Sequence, residues 1–132
     1  MPSSDKDRQV QFSLVKRAKS FAHAGRGIAV FIKTTHNAWI HIVILIGVIF
    51  AGIYFSISYI DWMFLTLASG MVVTAEAFNT AIEIDIDLTS PTYHPYARDT
   101  KDVAAGAVLI SSITAAIIGI GIFGHYFLNL LQ

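Results

Sequence analysis

The sequence has no cysteine, so disulfides and thiolate chemistry are excluded. Charge is nearly as scarce: 14% of the 132 residues are Asp, Glu, Lys or Arg, against 55% hydrophobic. With a mean hydropathy of +0.61, the chain is too apolar for an ordinary soluble domain. Three stretches have no formal charge at all: Asn37 to Ile60, Trp62 to Ala75, and Val103 to Gln132. A membrane span needs about 20 mostly apolar residues. The first and third stretches suffice outright, and the second suffices if its helix continues into the polar segment behind it. The first thirty-three residues are basic and hold no long uncharged apolar core, so a removable signal peptide is not expected.

Basic residues are missing from the Tyr59-Ile60-Asp61-Trp62 junction. All nine lie in Lys6 to Lys33 or at Arg98 and Lys101. The positive-inside rule then places the N-terminus and the Thr89 to Lys101 loop in the cytoplasm, with the Asp61 turn and the C-terminus outside. The expected fold is an all-α integral-membrane domain over residues 1–132. An amphipathic interfacial helix at 10–33 precedes transmembrane helices at 37–60, 62–88 and 102–128. The interfacial reading rests on an apolar stripe (Leu14, Val15, Ala18, Phe21, Ala22, Gly25, Ile28, Ala29, Ile32) opposite Lys16, Lys19, Ser20, His23 and Arg26. Gly25-Arg26-Gly27 is no phosphate loop, because no strand precedes it and no Gly-Lys-Ser/Thr follows.

What the chain does have is carboxylates in an unusual place. Four of its nine acidic residues fall in Glu76 to Asp87, EAFNTAIEIDID, directly behind an uncharged run. At about 100° per residue, Glu76, Asn79, Thr80, Glu83 and Asp87 project to one side of a helix, and Asp85 to the other. Asp85 and Asp87 suit a solvated helix end. Glu76 lies about two turns deeper, where an ionisable side chain is costly and marks a functional site with a partner. Arg98, Asp99, Lys101 and Asp102 sit at the same boundary on the next helix. Two chemistries fit this set. One is phosphoryl transfer: Mg²⁺ bridges carboxylates to substrate phosphates, Lys neutralises phosphate charge, and a deeper carboxylate takes a proton from a hydroxyl at the membrane surface. The other is a proton or cation pathway between helices.

The same residues carry a family pattern. Glu76 to Asp87 (Glu-x-x-Asn-Thr-Ala-Ile-Glu-x-x-x-Asp), Ser90 to Pro95 (Ser-Pro-x-Tyr-His-Pro) and Lys101 to Leu109 (Lys-Asp-Val-Ala-Ala-Gly-Ala-Val-Leu) closely resemble the bacterial diacylglycerol kinase and undecaprenol kinase family. The resemblance runs over roughly residues 13 to 125, and the His-Pro and Val-Ala-Ala-Gly forms are nearer the undecaprenol kinase branch. It implies a homotrimer in the bacterial inner membrane with composite sites between subunits. It also implies transfer of the ATP γ-phosphate to the hydroxyl of a membrane lipid, undecaprenol or else diacylglycerol. Glu76 matches the catalytic base, with Asn79 beside it. Glu83 matches a ligand of Mg²⁺, and Lys101, Asp102 and Asp87 match nucleotide-site positions. No nucleic-acid partner is expected.

One position departs from the pattern. The family has a second metal-ligating Glu just before the first span, where this chain has Thr35, and no acidic residue lies between Asp7 and Asp61 to replace it. Either the metal site is rebuilt, with Glu83 joined by Asp85, Asp99 or nucleotide phosphates, or the chain is a catalytically impaired relative with a binding or regulatory role.

Overall fold

The architecture comes from a computed structural model that describes residues 14–131, with the backbone alone for residues 14–16, 36 and 37. Four helices follow one another: α1 (Leu14–Thr34), α2 (His36–Tyr54), α3 (Tyr59–Thr89) and α4 (Pro95–Leu130). The expected start of the interfacial helix, at residue 10, lies outside the described residues. α3 and α4 are each long and apolar enough to cross a membrane. α1 and α2 are bent 100° apart, and together they would make a third crossing. Large apolar side chains such as Phe50, Leu67, Ile110 and Ile120 stand exposed around the helices, as the surface of a protein solvated by lipid requires.

Length separates α3 from an ordinary span. At 1.5 Å per residue its 31 residues reach about 46 Å, well beyond a hydrocarbon core of about 30 Å. The surplus is the acidic C-terminal part. Its buried residues, Leu65, Ala68, Val72, Glu76, Asn79 and Thr80, recur at helical spacing and form one stripe. That stripe starts apolar and ends polar. α4 packs along α3 and buries the small residues Ala104 and Ser111, whereas α2 meets α3 more sparsely.

The α2–α3 junction differs from the expected turn at Asp61. α2 ends at Tyr54, and the chain reverses through residues 55–58, with Ser56 in the left-handed region at φ 49°. Ser58 then caps α3, so Asp61 already sits in its first turn. The physical reason is a reciprocal cap. The Asp61 backbone N–H donates to Ser58 Oγ at 3.2 Å, while the Ser58 N–H donates back to Asp61 Oδ2 at 3.2 Å. Tyr126 of α4 donates its phenolic hydrogen to the same carboxylate oxygen at 2.9 Å, fastening the turn to the end of the last helix. Gly52 admits the Trp62 indole at this junction. A Cβ on Gly52 would come within 2.6 Å of the ring, so a larger residue forces the tryptophan away.

At the other end of the molecule, α4 starts at Pro95, seven residues before the expected span at 102–128. Pro95 occupies its first turn, where a missing N–H is harmless, and His94 Nδ1 accepts from the Tyr96 N–H at 3.3 Å.

Candidate active site

Polarity increases stepwise along one face of α3. Glu76 and Asn79 are buried, with 1% and 7% of their surface exposed, Glu83 is half-buried, and Asp87 is exposed. With Thr34, Thr35, Thr80 and Ile84 they line one cavity of about 290 Å³. Glu76 is fourteen residues into α3 from Trp62, which puts it about 21 Å along the helix and inside the apolar thickness. Glu83 and Asp87 come about two and three turns further out, towards the membrane surface.

The hydrogen bonds leave this cavity with unsatisfied acceptors. Asn79 Nδ2 donates to Glu83 Oε1 at 3.1 Å, one turn along the helix. That bond holds the amide so that Asn79 Oδ1 is left over. Neither Asn79 Oδ1 nor Glu76 Oε1 has a hydrogen-bond partner among the described residues, although both atoms are buried. Orphan buried acceptors of this kind are uncommon, because each forfeits its hydration without replacement. Here two face the same cavity. They fit a ligand that brings donors or positive charge: a hydroxyl proton, an ammonium group or a hard cation.

Thr35 supplies the cavity wall from the α1–α2 junction. It is the N-cap residue of α2, with φ −99° and ψ 108°, yet its side chain makes no capping bond. The hydroxyl reaches across to Thr80 Oγ1 at 2.7 Å instead. A threonine cap stabilises a helix by about 1 kcal/mol. That contribution is given up here for a polar contact between α2 and α3.

Lys101 and Asp102 are placed differently from each other. Lys101, on α4, pairs with Asp87 and so joins the outer rim of the acidic cavity. Asp102 is exposed and pairs with Arg98 one turn back on its own helix, at 3.4 Å. Of the six expected site residues, Glu76, Asn79, Glu83 and Asp87 line the cavity, Lys101 reaches it through Asp87, and Asp102 stays apart. Asp85 does not line it either, as its helical phase requires. Thr80 was legible as part of the polar ladder but not as a site residue. Its role depends on Thr35, forty-five positions away, and no local pattern announces that pairing.

A second cavity, apolar and larger at about 1130 Å³, runs between α1, α2 and α3 past Phe31, Leu45, Val73 and Ala77. It shares Thr80 and Ile84 with the acidic cavity. A carboxylate-lined chamber therefore opens beside a groove suited to hydrocarbon.

The donor set fits a hard cation, since all of its members are oxygens and two of them are orphaned. Among the described residues, no three His, Cys, Asp or Glu side chains gather to hold a metal on their own. That accords with Mg²⁺, which usually takes one or two carboxylates and completes its shell with water and substrate phosphates.

Comparison with known proteins points the same way. Residues 22–123 match the family model described as prokaryotic diacylglycerol kinase. The chain is 41% identical over 105 residues to an undecaprenol kinase of Bacillus subtilis, covering 80% of this chain and 85% of that protein. It is 39% identical over 101 residues to a diacylglycerol kinase of Synechocystis, covering 76% of this chain and 58% of the relative. A diacylglycerol kinase of Helicobacter pylori is 27% identical over 126 residues, 90% of this chain and 95% of that one. No solved structure matches. With most of its length matched by the family and by relatives of this identity, the chain belongs to the prokaryotic diacylglycerol kinase family.

Proposed function

We propose that this protein is an ATP-dependent lipid kinase whose acceptor is the hydroxyl of a membrane lipid, undecaprenol in the first place and diacylglycerol in the second. The observation that carries the reading is Glu76. It is a fully buried carboxylate with an unpartnered oxygen, inside a polar cavity that borders an apolar groove. A lipid lying in that groove brings its hydroxyl to the cavity while its chains stay among apolar side chains. Its proton passes to Glu76 Oε1. The alkoxide oxygen bonds to the γ-phosphorus of ATP, the bond from that phosphorus to the bridging oxygen breaks, and ADP leaves. A base of this kind contributes roughly 10²–10⁴-fold to rate.

Glu83, held by Asn79, and Asn79 Oδ1 would bind Mg²⁺, which supplies neutralising charge at the phosphates. Lys101 and Asp87 lie on the outer rim, where the nucleotide would enter. Asp102 is exposed and pairs with Arg98 rather than lining the acidic cavity of its own chain. This supports a site completed by a neighbouring subunit, and we assign the protein as a homotrimer. α1 carries Arg17, Lys19, Arg26 and Lys33 and has Phe21 and Ile28 exposed on its apolar stripe. We place it in the interface of the bacterial inner membrane, with the N-terminus and the acidic end of α3 in the cytoplasm. A reporter fused after Gln132 should then read as exterior, and one inserted near Thr92 as cytoplasmic.

The decisive assay gives purified protein Mg²⁺ and γ-labelled ATP with undecaprenol or diacylglycerol in mixed micelles. Labelled lipid phosphate is expected, with undecaprenol the better acceptor. Ion flux in liposomes without phosphorylated lipid would assign the buried carboxylate to a conduction pathway instead. Absence of both would leave a binding relative.

A further inference from the structure

The protons in the acidic cavity can be counted hydroxyl by hydroxyl. Thr80 Oγ1 donates its single hydrogen to the main-chain carbonyl of Glu76, at 2.9 Å. In the 2.7 Å contact between the two threonines, Thr35 is therefore the donor and Thr80 the acceptor. Both hydrogens are used. Thr35 Oγ1 is left with unengaged lone pairs, on a residue that lines the cavity. Glu76 Oε1 and Asn79 Oδ1, each on a side chain more than nine-tenths buried, line the same cavity and have no donor among the described residues. Thr35, at the α1–α2 junction, and Glu76 and Asn79, on α3, thus line one cavity with acceptor oxygens to spare, and only one of the three is a carboxylate.

We propose that Thr35 is a neutral oxygen ligand for the divalent cation of this cavity, and that Thr80 is the residue that positions it. The relay from the Thr35 hydroxyl to the Thr80 hydroxyl to the Glu76 carbonyl fixes which way the Thr35 hydrogen points. It keeps a donor from being turned towards a cation. In this chain the position thus keeps an oxygen at the cavity wall but withholds a negative charge. The cation should bind, and more weakly than with a carboxylate there. The inference rests on the reading that the acidic cavity holds a divalent cation during lipid phosphorylation.

The test measures cation binding without ATP or lipid, using Mn²⁺ as the probe and the full chain in detergent micelles. The paramagnetic resonance signal of free Mn²⁺ is followed as protein is added. The parent should bind. Thr35→Val and Thr80→Val should each weaken binding on the order of tenfold, a usual effect of disturbing a ligand or its support. Thr35→Ser and Thr80→Ser, which keep the hydroxyls, should bind as the parent does, and Thr35→Glu should bind more tightly. If the valine forms fail to fold, Thr35→Glu decides, and an unchanged affinity there overturns the proposal. Parental affinity in both valine variants, with binding lost in Glu83→Gln, also overturns it while leaving the cation site intact. If neither the parent nor Thr35→Glu binds Mn²⁺, the cation reading itself fails and takes this proposal with it.

Discussion

One helix, α3, carries a carboxylate in its first turn and another at mid-length, and the two are opposites. Asp61 Oδ2 takes three donors: the Ser58 N–H at 3.2 Å, the Ser58 hydroxyl at 2.7 Å and the Tyr126 hydroxyl at 2.9 Å. Glu76 is 1% exposed, and its Oε1 takes none among the described residues. The saturated carboxylate holds a turn together and has nothing left to offer a ligand. The unsaturated one bears the cost of burial without compensation, which persists only where the surrounding structure enforces it. The difference separates architecture from chemistry on a single helix. It teaches that burial together with a missing donor, rather than acidity, singles out the candidate for chemistry.

The predictions probe that contrast. Short of removing the base, the largest effect is expected from Glu76→Asp, which keeps the carboxyl group and withdraws it by one methylene. Misplacement by about 1 Å can cost about 10²-fold in rate, so lipid phosphorylation should fall by that order while the melting temperature in detergent holds. Next is Gly52→Ala. Its methyl would meet Trp62 at 2.6 Å, and overpacking of this sort costs about 1–3 kcal/mol. Thermal melts should show the loss, with turnover per folded molecule unchanged. Asp61→Asn should lower the melting temperature by less, because the cap keeps one acceptor oxygen but loses the charge that strengthens its bonds. Its specific activity should stay at the parental value. The smallest effect belongs to Ser56→Gly, which relieves a left-handed φ of 49°. A stabilisation of up to about 1 kcal/mol should appear as a slightly raised melting temperature.

Much of this was legible in the sequence, and the gaps have physical causes. Uncharged run lengths announced the two long helices that can each cross a membrane, α3 and α4. The run from Asn37 to Ile60 became a helix ending at Tyr54, which makes a third candidate crossing only when taken with α1. Helical phase grouped Glu76, Asn79, Glu83 and Asp87 and set Asp85 apart. Both signals are local, since they depend only on residues within a few turns. The end of α2 was not legible from absence of charge, because Phe55 to Ile60 is as uncharged as the helix before it. The reversal there depends on the Ser58–Asp61 cap and on Tyr126, sixty-five positions beyond Asp61. The same limit applies to Thr35. Sequence identified it as a departure from a pattern, but its partner Thr80 emerges only when α2 is set against α3. Asp102 shows the converse: a motif position can match its family while its side chain, in its own chain, turns to Arg98.

The central claim is that the buried, unpartnered carboxylate on α3 does the chemistry and the saturated one does not. The most direct measurement compares label transfer from γ-labelled ATP to undecaprenol by the parent, Glu76→Gln and Asp61→Asn, at equal amounts of folded protein in the same micelles. Glu76→Gln preserves shape and removes the base, so its rate should fall by roughly 10²–10⁴-fold, with the melting temperature kept because the buried side chain keeps its size. Asp61→Asn should transfer label at the parental rate. Label transfer by Glu76→Gln at the parental rate, or loss of transfer in folded Asp61→Asn, would contradict the account.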